Sequence, residues 1–204
     1  NVQTLEETLV LNGHQGTVNS FGFSADGKYL ASGSNDSTVI VWDLSSGEIL
    51  KSLTIEPKQS IWAVAYSPLE NKIVFGGMDR TVHSWNFDSD AEQTRLLLLD
   101  ENVTSLNYSC DGANLSITTA DGIITLWDTQ AKSTKKLIAH SSDAMFTAFS
   151  HDGKTLVSGG SDGSLQFWNM ATLEPTISIQ AHDQHIHSVY FSPDGAHVAT
   201  ASWD

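Results

Sequence analysis

His14, Ser32 and Asp36 place an imidazole, a hydroxyl and a carboxylate in one stretch of chain, the trio with which a hydrolase activates a serine nucleophile. The same types return at His140, Ser158 and Asp162, and again, with threonine for serine, at His182, Thr200 and Asp204. A catalytic set needs to be built only once. Its return at equivalent positions argues for a part that every unit of a repeated structure requires. His182, His185 and His187 suggest metal chemistry, because residues two apart on a strand share a face. His182 already belongs to the recurring set and no third ligand lies nearby, so no metal site is assigned. The stretch Gly159-Gly160-Ser161-Asp162-Gly163 lacks the lysine and the helix of a phosphate loop and reads as turn punctuation. No catalytic residue and no cofactor is therefore expected.

The elements that must position these residues repeat with them. Trp42-Asp43, Trp85-Asn86, Trp127-Asp128 and Trp168-Asn169 fall 43, 42 and 41 positions apart. An Asp stands six residues before each Trp, at Asp36, Asp79, Asp121 and Asp162, and Asp204 continues the series. Within the first unit, Phe21 and Phe23 alternate with small residues, as in a strand buried on both sides between neighbouring sheets. Asp26-Gly27 is a hairpin signal, and a two-residue type I′ turn is expected there. Asp36-Ser37 turns the chain into Thr38-Val39-Ile40-Val41-Trp42, rich in β-branched residues, and Ser45-Ser46-Gly47 turns it into a fourth strand. Each unit is thus a meander of four short antiparallel strands, with innermost strands expected at 18–24, 61–67, 103–109 and 144–150. One such sheet cannot bury both faces alone, so the units must stack radially.

Composition narrows the function classes. The chain has 204 residues, 40% hydrophobic and 17% charged, which suits a folded protein. Its net charge of −14 repels nucleic-acid phosphates and anionic membranes. The cations are scattered, apart from Lys132, Lys135 and Lys136, and the only arginines are Arg80 and Arg95. Neither nucleic acid nor a membrane is expected as a partner. The lone Cys110 and the lack of a signal-like or membrane-length apolar run point to an intracellular location, cytoplasmic or nuclear.

Gly13-His14, Ala139-His140 and Ala181-His182 at unit starts, with the Trp-Asp or Trp-Asn pairs, carry a resemblance to the WD40-repeat family across essentially the whole chain. The segments Phe23-Ser24-Ala25-Asp26-Gly27 and Phe191-Ser192-Pro193-Asp194-Gly195 add to it. The resemblance implies an all-β, WD40-type β-propeller with four complete four-stranded blades and part of a fifth, a portion of a seven-bladed ring. Its blades are drawn at 13–55, 56–98, 99–138, 139–180 and, partial, 181–204, within one propeller domain. Residues 1–12, with a strand at 4–11, would be the outer strand of the closing blade. Seven blades need roughly 290 residues at this period, so the ring is not expected to close within this chain.

In that family a His before the first strand, a Ser or Thr, the turn Asp and the Trp hydrogen-bond together. His14, Ser32, Asp36 and Trp42 match, as do His140, Ser158, Asp162 and Trp168, and His182, Thr200 and Asp204 in part. The second unit has Pro57 and Phe75 in place of His and Ser, and the third has Leu99 and Ile117. His and Ser vanish together, as expected if an unpaired buried member is worse than none. On that reasoning Asp79 should matter less to stability than Asp36.

Family members also grip peptides and domains on the face where first strands begin. Those positions hold Trp62, Met78, Met145, His185, His187 and Trp203, residue types suited to binding hot spots. The alternative for Trp62 and Met145 is that they continue the buried parity of Val64 and Phe149. The expected function is a non-catalytic protein–protein interaction scaffold in a multiprotein complex, with partners that carry basic segments. The competing reading is the sensor or regulatory propeller of a larger enzyme or signalling protein.

Overall fold

The computed structural model describes residues 6–89 and 93–204. It is all strand, in four four-stranded antiparallel meanders and one two-stranded piece. The first blade holds β1 (Val18–Phe23), β2 (Tyr29–Ser34), β3 (Thr38–Asp43) and β4 (Ile49–Thr54). The second holds β5 (Ile61–Tyr66), β6 (Lys72–Gly77), β7 (Thr81–Asn86) and β8 (Thr94–Leu98). The third comprises β9 (Val103–Tyr108), β10 (Asn114–Thr119), β11 (Ile123–Asp128) and β12 (Ser133–Ile138). In the fourth are β13 (Ala144–Phe149), β14 (Thr155–Gly160), β15 (Ser164–Asn169) and β16 (Glu174–Gln180). The fifth has β17 (Ile186–Phe191) and β18 (Val198–Ser202). Each innermost strand lies against the next: β1 on β5, β5 on β9, β9 on β13 and β13 on β17.

One apolar cluster fills each junction. Ala31, Val39 and Val41 of the first blade meet Ile61, Val64, Tyr66 and Phe75 of the second. Ala63 and Ala65, on the opposite face of β5, meet Val103, Leu106 and Ile117 of the third. The fourth blade is joined to the third through Ile124, Leu126 and Leu156, and to the fifth through Val157, Leu165, Ile186 and Val189. Each fully buried branched side chain contributes about 1.5–3 kcal/mol. Glycine sets the closeness of approach: a Cβ at Gly33 would come 2.6 Å from Val64, and one at Gly159 2.7 Å from Ile186.

Three local expectations are corrected. Asp26 does not have the positive φ of a type I′ turn; only Gly27 does, at 69°. Gly27 N donates to Ser24 O and Ser24 N to Tyr29 O, a longer loop in which the Asp26 carboxylate accepts from Ser24 Oγ and Lys28 N. The side chain caps its own loop, so a tighter turn is unnecessary. The strand expected over residues 4–11 does not form in its described part, residues 6–11, and Thr4 lies outside the described residues. A strand needs a ladder partner; Leu9 and Leu11 instead pack over Gly47 at the β3–β4 turn. Finally, Phe21 and Phe23 are 62% and 58% exposed. They hold on β1 the places that Val64 and Tyr66 hold on β5, but no described blade covers that side of β1.

Inside the first blade a polar relay crosses the sheet. Trp42 Nε1 donates to Ser32 Oγ at 2.8 Å, Ser32 Oγ meets His14 Nε2 at 2.7 Å, and His14 Nδ1 meets Asp36 Oδ2 at 3.0 Å. With the imidazole proton on Nδ1, every member is satisfied. Ser32 is buried between the indole and the imidazole, so no substrate can reach its hydroxyl as a nucleophile. The fourth blade repeats the relay, with Trp168 on Ser158 at 3.3 Å and His140 Nε2 on Ser158 at 2.9 Å. There His140 Nδ1 stands 3.4 Å from Asp162 and 2.9 Å from Ser164 Oγ, which itself donates to Asp162. In the fifth, His182 meets Asp204 and Thr200, each at 2.8 Å.

Sequence reasoning missed three members. Thr38 and Ser164, two residues beyond their turn Asp, donate to it at 2.6 Å; the recurring Asp-x-Thr or Asp-x-Ser was the available signal. The larger omission is His83. In the second blade its Nε2 lies 2.6 Å from Asp79 Oδ2, and its ring stacks on Phe75 with centroids 5.0 Å apart. The imidazole has moved from the loop before the blade to β7, and Phe75, in the Ser position, supports it from below. Asp79 therefore keeps a histidine, contrary to the expectation drawn from Pro57 and Phe75. Asp121 in the third blade is the one left with Thr119 Oγ1 and Ile123 N, beside buried Ile117.

Asp36→Ala should lower stability by about 2–3 kcal/mol, Asp79→Ala by a similar amount, and Asp121→Ala by about 1 kcal/mol. Chemical denaturation of the three variants checks this; a loss at Asp121 equal to that at Asp36 would refute the ranking.

Acid should act in two steps. Burial pushes the His140 imidazole below its ordinary pKa, outweighing the pull of Asp162 in the other direction. The folded blade thus resists protonation that the unfolded chain accepts near pH 6.5, and this contribution is lost as pH falls from about 6.5 downward. Burial would raise Asp36, but hydrogen bonds from Thr38, Gln15 and His14 prevail and lower its pKa to about 2. Its contribution is present above about pH 4 and disappears as pH falls toward 2. Urea midpoints across pH should show His140→Gln without its share of the first step and Asp36→Asn without its share of the second.

Candidate partner-binding face

Three backbone devices recur along the same rim of the blades. The residue before the turn Asp donates its N–H to the loop residue ahead of the inner strand: Asn35 to Thr17, Met78 to Ser60, Ala120 to Asn102 and Ser161 to Asp143. The residue after the recurring His donates to the turn carboxylate, Gln15 to Asp36, Ser141 to Asp162 and Asp183 to Asp204. Each inner strand then carries a register shift that leaves its second residue unpaired: Asn19, Trp62, Thr104, Met145 and His187. A bulge re-aims the side chain it contains. It also shifts the parity, so that Ile61, Val64 and Tyr66 face one blade and Ala63 and Ala65 the other.

These bulge residues divide into two groups. Asn19 Nδ2 donates to Ile61 O at 2.8 Å and Thr104 Oγ1 donates to Ala144 O, each tying its blade to the next inner strand. Trp62 and Met145 make no such hydrogen bond among the described residues, are only partly buried, and belong to none of the four packed clusters. Continuation of the core parity of Val64 and Phe149 is thus interrupted by the bulge.

His185, His187 and Trp203 are brought together. The pairing of Ile186 with Ser202 sets His185 beside Trp203, whose rings stack with centroids 5.1 Å apart, and His187 tilts against the same indole at 4.4 Å. Trp203 stays 67% exposed. The two imidazoles spend their faces on the indole, and among the described residues no cluster of three or more metal-ligating side chains exists. Met78, 46% exposed, walls a groove with Gln15, Asn35, Lys58, Gln59 and Ser60 between the first and second blades. Trp62 makes no ring contact among the described residues, so the six residues stand as blade-by-blade groups along one rim.

Comparison with known proteins matches these features. The model of the family described as WD domain, G-beta repeat fits residues 5–43, 47–86, 95–128, 131–169 and 173–204. The chain is 29% identical to eukaryotic translation initiation factor 3 subunit I of Emericella nidulans, over 96% of this chain and 62% of that protein. It is 28% identical to WD repeat-containing protein SL1-17 of Schistosoma mansoni, over 78% of this chain and 52% of the relative. Protein FIZZY-RELATED 3 of Arabidopsis thaliana is 30% identical over 83% of this chain and 36% of its own length. The chain thus spans less than two thirds of the length of each of these relatives. With its repeats matched in five consecutive segments, the chain belongs to the WD domain, G-beta repeat family.

Proposed function

We propose that this chain is a non-catalytic interaction scaffold that holds protein partners on the rim formed by the loops ahead of the inner strands. The observation that carries this reading is the exposure of Met78 and Trp203 along this rim, Met78 tied through its N–H to Ser60 O and Trp203 stacked against His185 and His187. Large apolar side chains on a rigid frame bind with little loss of conformational entropy. The recurring His, Ser and Asp residues are taken up by blade architecture, and the metal and phosphate-loop candidates lack the ligands those sites need. A relative named as a subunit of a translation initiation factor is consistent with work inside a multiprotein assembly. The net charge of −14 favours partner segments with basic flanks around one or two hydrophobic anchors, and disfavours nucleic acid. An intracellular setting, cytoplasmic or nuclear, accords with the single exposed Cys110.

Met78→Ala and Trp203→Ala should leave the thermal midpoint unchanged and weaken capture of native partners about 5- to 100-fold. Quantitative affinity capture beside thermal denaturation checks both halves. Unaltered capture with a lowered midpoint would make these residues structural and overturn the reading.

A further inference from the structure

The cluster at the fifth blade has a chemistry that the other rim groups lack. It is wholly aromatic, and its largest ring, Trp203, is 67% exposed. The charge around it is equally one-sided. From Thr155 to Asp204 the chain contains no Lys or Arg, while Asp162, Asp183 and Asp204 lie at the same ends of the strands as Trp203. Hydrogen bonds hold two of these carboxyls below the usual carboxylate range. Asp204 is lowered by Asp183 N and then His182; burial would raise Asp162, but hydrogen bonds from Ser164 Oγ and Ser164 N prevail and lower it. The indole thus sits in sequence and along the rim beside the carboxylates of Asp183 and Asp204.

An exposed indole presents a negative π face, and the ring quadrupole attracts a cation more strongly for Trp than for any other side chain. A guanidinium fits this setting better than an ammonium: it is planar, it stacks on aromatic faces, and it is more weakly hydrated. We propose that Trp203, backed by His185 and His187, receives an arginine side chain from a partner segment, with Asp183 and Asp204 supplying the surrounding negative potential. This rests on the scaffold reading above and assigns one of its contacts. The two histidines act as positioning residues. Stacked against the indole on the β17 side, they keep it from folding onto its own blade and leave its remaining surface to the ligand. His187 is held in this role by ring contact, since its Nε2 is buried without a hydrogen-bond partner among the described residues.

The test uses three acetylated, amidated pentapeptides of alanine with a central arginine, lysine or citrulline. The readout is the indole N–H resonance of Trp203, assigned from its absence in Trp203→Phe. Citrulline keeps the shape and most of the hydrogen-bonding of arginine and removes the charge. The arginine peptide should shift the resonance saturably, with affinity about 3- to 30-fold above that of the citrulline peptide and above that of the lysine peptide. His185→Ala should weaken arginine binding while leaving the fold unchanged. Trp203→Phe, read through the shifts of His185 and His187, should retain weaker binding. Equal affinity for arginine and citrulline would overturn the proposal, as would an arginine response indifferent to His185→Ala and Trp203→Phe. If the peptides fail while Trp203→Ala still weakens capture of native partners, the cation assignment falls and the scaffold reading stands. Loss of neither peptide nor partner binding in the variants would remove both.

Discussion

A four-stranded meander with apolar residues on both faces cannot be stable alone, and every other feature of this protein depends on that constraint. The faces are covered only by neighbours, so β5 must serve the first blade with Ile61, Val64 and Tyr66 and the third with Ala63 and Ala65. Large residues on one face and small ones on the other let successive inner strands approach closely. Gly33 and Gly159 extend this economy of volume to the second strands, where even a methyl group would collide with the next blade. Where no described blade follows the rule, at Phe21 and Phe23, the same residue types simply remain exposed.

Apolar packing sets the spacing of the blades but not the course of the loops at their ends. That task falls to the turn carboxylates. Asp36 draws together the loop at Gln15, the His14 ring and the start of β3 at Thr38. The three solutions seen across the blades obey one physical rule, that a buried polar group is kept only with its partners. The first and fourth blades keep the full relay. In the second, the histidine is brought in from β7 and stacked on Phe75, and in the third the relay is replaced by Leu99 and Ile117 around a reduced set. Members are exchanged in groups because removing one alone would strand another.

The rim inherits its rigidity from both layers. Repeated hydrogen bonds between turns and loops hold positions such as Met78 in place and ring contacts with His185 and His187 hold Trp203, while the bulges at Trp62, Met145 and His187 free those side chains from the sheet alternation. A frame of this kind can vary its contact residues without altering its core, since the varied positions lie outside the four packed clusters. The excess of acidic residues adds a long-range field to these short-range contacts and selects the sign of what approaches.

Much of this was legible in the chain alone. The period of the Trp and Asp residues fixes the repeat, β-branched runs between turn residues fix the strands, and the paired disappearance of His and Ser identifies them as interacting groups. All of these are local or periodic properties, which a linear text preserves. What lay beyond it depends on register and on contacts across strands. His83 reads as an ordinary strand residue until the pairing of β6 with β7 sets it opposite Phe75 and beside Asp79. Asp26-Gly27 matches a short turn until the carboxylate is seen to cap a longer one. Alternation along β5 and β13 suggests a buried Trp62 and Met145, and only the bulge, one unpaired residue in the ladder, reverses the parity. The stacking of His185 and His187 on Trp203 likewise needs the hairpin that brings residues far apart in the chain side by side. Sequence determined which units form and how often, because that follows from local preference and spacing. Tertiary structure decided where each polar and aromatic side chain points, because a single-residue shift in pairing changes the face on which it lies.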